Sequence, residues 1–146
     1  IFLLSLLVID GTDNCDYFLY KFNLSKKDQK RIKIIDNFYK EKLNSKTFME
    51  NNINKLFYYH GKQATIDILS LRSIKSNKID KTFKHLIIYY ENFTTPIMPI
   101  SADSLMKKYK IPEGKALGKK LKEIENKWIE NDFKISDQQV DNIINN

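Results

Sequence analysis

At 146 residues, with 42% hydrophobic and 12% aromatic side chains, the chain is long enough for one domain with its own core, and general disorder is excluded. Four glycines and three prolines argue against an all-β protein of tight turns, and a lone cysteine, Cys15, excludes an internal disulfide framework and fits a reducing, cytoplasmic setting. The net charge of +7 leans toward polyanionic partners, although a composition rich in Lys, Asn and Ile also produces it, and two histidines with one cysteine argue against structural zinc.

The apolar run 1–9 lacks the basic start and cleavage site of a signal peptide and is too short to cross a bilayer. It reads as the tail of a core helix cut from a longer protein. Residues 10–14 are turn formers. Asp10, Asp13 and Asp16 lack the spacing of a calcium loop, so helix capping is their expected role.

Residues 15–22 predict a short helix with Phe18, Leu19 and Phe22 inward. Ser25 is the expected N-cap of a longer helix, with Asp28 in its first turn and Ile32, Ile35, Phe38, Tyr39 and Leu43 as the buried stripe. Lys26, Lys27, Lys30, Arg31, Lys33, Lys40 and Lys42 fall mostly off that stripe. They form either a solvated face or a face for an RNA backbone.

A third helix is expected from Ser45, with Phe48, Met49, Ile53, Leu56, Phe57 and His60 inward. Gly61 should end it as a left-handed C-terminal residue. Residues 63–74 predict a separate helix with Ile66, Leu69 and Ile74 on one side, broken at Ser76 and Asn77. Residues 79–93 predict another, apolar at Ile79, Phe83, Leu86, Ile87, Tyr90 and Phe93. His85 reads as a surface or packed histidine. Two prolines make 94–100 extended.

Three helices should follow. Ser101 opens a short one with a basic end. Pro112 suits the first turn of a long one, whose Leu117, Leu121, Ile124 and Trp128 share a face. Ser136 opens the last, with Val140 and Ile144 packed. No alternating β pattern intervenes, so the fold class is all-α. The organisation is a helical body at 1–93, an extended linker at 94–100 and a helical tail at 101–146.

Gly114 and Gly118 lie at or near the start of the long helix, where a glycine in the interior costs about 1 kcal/mol against alanine. Two uses would justify them: close approach of another helix, or of a phosphate to the backbone amides at a helix start. From residue 102 to 121 six lysines face only Asp103 and Glu113, a net of +4, while 122–146 nets −3. The positive end coincides with a helix N-terminus, where about four N–H groups lack intrahelical partners. The candidate RNA-binding residues are Lys107, Lys108, Lys110, Gly114, Lys115, Gly118, Lys119 and Lys120.

The tail also resembles a family. Residues 96–101 (Pro-Ile-Met-Pro-Ile-Ser), Asp103, Leu105, Met106, then Ile111, Pro112, Glu113, Gly114, Gly118, Leu121, Trp128, Ile129, Asp132 and Phe133 are similar to the C-terminal signature of the bacterial class II tRNA nucleotidyltransferases. These are the CCA-adding enzymes and poly(A) polymerases. Residues 56–61 (Leu-Phe-Tyr-Tyr-His-Gly) with Asp67 and Leu69 resemble the family's segment of aromatics, glycine and helix. The resemblance implies a part that binds tRNA or another structured RNA, and a partner head in the same protein that transfers nucleotides from CTP or ATP with Mg²⁺.

In that chemistry paired carboxylates hold two metals about 3.5–4 Å apart. The family's D-x-D motif, its Gly-Ser phosphate turn and its E-D-x-x-R segment are all missing here. No catalytic or metal-binding residue is therefore assigned, and this chain alone is expected to be inactive. CCA addition is the leading expectation, and poly(A) addition is the variant within the family. The alternative outside it is a non-enzymatic all-α interaction module whose basic patches are compositional.

Overall fold

The computed structural model describes residues 9–10, 12–41, 50–75 and 81–145. Among them the chain is all-α, with seven helices and no strand: α1 (Asn14–Lys21), α2 (Lys26–Glu41), α3 (Glu50–Lys75), α4 (Lys81–Asn92), α5 (Ala102–Tyr109), α6 (Lys115–Glu130) and α7 (Asp137–Asn145). The expected positions at 1–8, Lys42, Leu43, Ser45, Phe48, Met49, Ser76, Asn77 and Ile79 lie outside the described residues.

The second helix is capped as expected, whereas Asp13, the N-cap of α1, makes no side-chain capping bond. Asp10 accepts hydrogen bonds from the Thr12 N–H at 2.9 Å and from Asn14 Nδ2 at 2.7 Å, so it orders the turn before α1. A hydrogen bond from the Thr12 hydroxyl, then those from the Thr12 N–H and Asn14, hold its carboxyl down at about 2. Ser25 caps α2 by accepting from the Asp28 N–H at 3.2 Å, while its hydroxyl donates back to the Asp28 carboxylate. Cys15, Phe18, Leu19 and Ile32 close the α1–α2 contact. Burial, helped by Asp36, Asp16 and a hydrogen bond to Asp36, pushes the Cys15 thiol up to about 11.

Two basic residues of α2 are structural. Arg31 donates from Nε and Nη2 to the buried Asp67 of α3. Lys40 pairs at 3.0 Å with Asp36, which is also buried. Neither can belong to an open RNA face, which corrects the wider expectation for this helix. Lys26, Lys27, Lys30 and Lys33 are exposed.

Gly61 ends the first arm of α3 at positive φ, as expected, and a second helical arm follows across a kink. Its φ 82° and ψ 175° are a conformation open essentially to glycine alone, extended in ψ rather than left-handed helical. The sequence marks both the break and the helix that resumes after it, but not the angle between the two arms. Both arms contribute to each of two core clusters. Before the bend, Ile53, Phe57 and Tyr90 of α4 are fully buried together with Leu69 from beyond it. Beyond the bend, Ile68 and Leu71 join Ile35, Tyr39, Leu56 and Ile9. Ile74 and His60, expected inward, are exposed.

The tail docks on the body through α6. Tyr58 meets Trp128 edge-on at 5.5 Å, and Phe133 packs against Trp128, Tyr58 and Phe93. Fully burying a side chain of this size stabilises by about 1.5–3 kcal/mol. A polar link, buried at Tyr90 and Asn54 and reaching the exposed Asp132, reinforces the seam. Tyr90 Oη donates to Asn54 Oδ1 at 2.6 Å, and Asn54 Nδ2 donates to Asp132 Oδ1 at 2.8 Å. Asp132 and Phe133 both have positive φ, 53° and 59°. The link and the aromatic cluster hold this left-handed pair in place.

Candidate nucleic-acid interface

The tail has a core of its own in Leu105, Leu117, Ile124 and Val140, with Met106, Tyr109, Ile111, Leu121, Ile143 and Ile144 around it. Two of its three helix starts, those of α5 and α7, follow their sequence signals. Ser101 and Ser104 form a reciprocal capping box at α5. Ser136 and Gln139 do the same at α7, with the Gln139 N–H donating to Ser136 Oγ at 3.3 Å.

The long helix begins later than expected. Pro112 lies in the preceding loop, and α6 starts at Lys115 with Gly114 as its N-cap at φ 150°. Gly114 supplies no side-chain cap, so the amides of the first turn face the loop without a carboxylate or hydroxyl over them from this position. The expectation that a glycine admits a neighbouring helix is not met. Nothing lies within 4 Å of where a Cβ would stand on Gly114 or Gly118, and both are exposed.

With Leu117, Leu121, Ile124 and Trp128 turned inward, positions 115, 118, 119 and 122 form the opposite stripe of α6 at steps of three, one and three. Lys115, Gly118, Lys119 and Lys122 on it are all exposed. Lys107 and Lys110 are exposed at the end of α5, where Lys110 takes a left-handed conformation, φ 57° and ψ 29°, and turns the chain toward the α6 start. Among the described residues, Lys107, Lys110, Lys115 and Lys119 make no ion pair.

Two of the eight candidates are engaged by α7. Lys108 Nζ lies 3.3 Å from Asp137 and 3.7 Å from Asp141, and Tyr109 Oη donates to Asp141. Contact with Tyr109 and then Asp137 raises the Lys108 ammonium above its ordinary range. Lys120 is half-buried and donates to the Ile143 carbonyl at 2.7 Å. The charge separation seen along the sequence is therefore reduced in space, since acids of the negative half fold back onto the positive one.

Sequence reasoning missed Lys122, which lies seven residues after Lys115 on the same stripe. That spacing was the available signal. Its ammonium sits 4.6 Å from the Tyr59 ring centre and donates to Tyr59 Oη at 2.7 Å and to Glu125. Burial alone would raise the Glu125 carboxyl, but hydrogen bonds from Lys122, Tyr59 and Tyr58 outweigh it and lower the pKa. This cluster fixes one border of the basic stripe to the body.

Among the described residues no three His, Cys, Asp or Glu side chains are grouped to hold a metal ion. No helix among them is long and apolar enough to cross a membrane. Compared with known proteins, the chain matches no family model, no curated protein and no solved structure. The resemblance described above rests on its own residues.

Proposed function

We propose that this chain is the tRNA-binding C-terminal portion of a cytoplasmic nucleotidyltransferase that adds CCA to tRNA 3′ ends, with the bond-making head elsewhere in the same protein. The observation that supports it most is the open, lysine-flanked start of α6. Gly114 and Gly118 leave the backbone uncovered there, and four exposed lysines surround it in sequence. A phosphate seated at this start meets unpartnered N–H groups, the positive end of the helix dipole and mobile ammonium groups together.

Such contacts position an RNA without reading its bases. They suit recognition of a shared tRNA shape. The mechanism assigned to this chain is thus placement of the acceptor strand, with no proton or phosphoryl group moved by its residues. The resemblance supplies the reaction class, and the surface supplies the means of holding the substrate.

Filter binding of bulk tRNA across a salt series tests the reading. Affinity should fall steeply with salt, and Lys115→Glu or Lys119→Glu should each reduce the slope by about 0.9. A slope that neither variant changes would leave the interaction module as the better description.

A further inference from the structure

The position of α7 suggests regulation of this same surface, and the inference rests on the RNA-binding reading. Asp137 and Asp141 stand one helical turn apart at the start of α7, and both face Lys108. At its other end α7 offers the Ile143 carbonyl to Lys120. One short helix thus engages a lysine at each end, while Lys107, Lys110, Lys115 and Lys119 keep clear of it. Asp137 is 90% exposed and Lys108 is 53% exposed, so this pair is held by solvent-screened attraction, which a phosphate could match.

We infer that α7 is an intramolecular competitor for the RNA backbone: its Asp137–Asp141 edge occupies Lys108 and withholds that lysine from the phosphate track. Asp141 is also fixed by Tyr109, so the edge cannot drift away while α7 stays packed through Val140. Bound RNA then uses the uncommitted lysines, and the acids of α7 set the border of the track by repelling phosphates beyond it. Any change that neutralises Asp137 should enlarge the track by one contact.

A double-mutant cycle on tRNA binding tests this. Lys108→Gln alone should leave the salt slope unchanged, because Lys108 is already occupied. Asp137→Asn should tighten binding about two- to fivefold, the range of an exposed ion pair, and should steepen the slope by about 0.9. Adding Lys108→Gln to Asp137→Asn should abolish that gain. Circular dichroism of each variant checks that the helices persist. Should Asp137→Asn loosen α7, the Lys108→Gln result in the unaltered background still decides.

A drop in slope of about 0.9 in Lys108→Gln alone would overturn the inference, since Lys108 would then already touch RNA. So would a gain in Asp137→Asn that survives Lys108→Gln, which would be general repulsion only. Lys115→Glu separates the two levels. If it lowers the slope while the cycle shows no coupling, the RNA-binding reading stands and the inference alone falls. If it has no effect, the reading falls and takes the inference with it.

Discussion

Two glycines that look alike in the sequence do opposite things. Gly61 sits at φ 82°, where any side chain is strained, so Gly61→Ala should destabilise the fold by about 1–3 kcal/mol in urea denaturation. Gly118 lies within a regular helix with open space around it. Gly118→Ala should therefore stabilise the chain by up to about 1 kcal/mol, yet weaken RNA binding if a phosphate approaches the backbone there. Stability and affinity moving in opposite directions would be hard to obtain from a purely structural glycine. At the same scale, Asp10 is held near 2 from an ordinary 3.8. Its folded pKa is depressed, so its contribution is present above about 4 and is lost as the pH falls toward 2. Asp10→Asn should flatten the acid limb of the stability curve over that window. The sequence shows that Asp10 belongs to a turn, but not which donors converge on it.

Among the elements, the starts of α2, α5 and α7 were legible because a capping residue acts on neighbours three positions away. The buried stripe of α6 was legible for the same reason of short range. The bend in α3 was only half legible, since a glycine shows that a helix is interrupted and not where the next turn points. The seam between body and tail was not legible at all. Asn54 meets Asp132 across 78 residues, and Arg31 meets Asp67 across 36. No local pattern announces such pairs. Phe133 is also not a residue type that advertises positive φ, although Asp132 is. The seam makes its own prediction. Tyr90→Phe removes the donor to the buried Asn54 and should cost about 1–3 kcal/mol in thermal or urea unfolding. Wild-type stability in that variant would mean that the polar link is incidental to docking.

For the whole molecule, the net charge of +7 says less than its arrangement. Arg31 and Lys40 are consumed by buried acids, and Lys108, Lys120 and Lys122 by neighbours on α7, α6 and α3. Exposed lysines remain on several elements, among them α2 and the α5–α6 turn. The all-α class was legible from composition and periodicity. The candidate site was legible as a stretch of chain, while the division of its lysines between fold and surface needed the folded packing. Cys15, fully buried and with its thiol held up at about 11, should react with a thiol reagent at pH 8 only as fast as the chain opens. Prompt labelling of the native protein would contradict the packing of α1 on α2.

The central claim concerns where an RNA phosphate sits, and a backbone amide NMR titration with a short RNA hairpin tests it most directly. The amides of Lys115, Ala116 and Leu117 should shift first and saturate together, and added salt should reverse them. Shifts confined to Lys26, Lys27, Lys30 and Lys33 on α2, with the α6 start unmoved, would contradict the account.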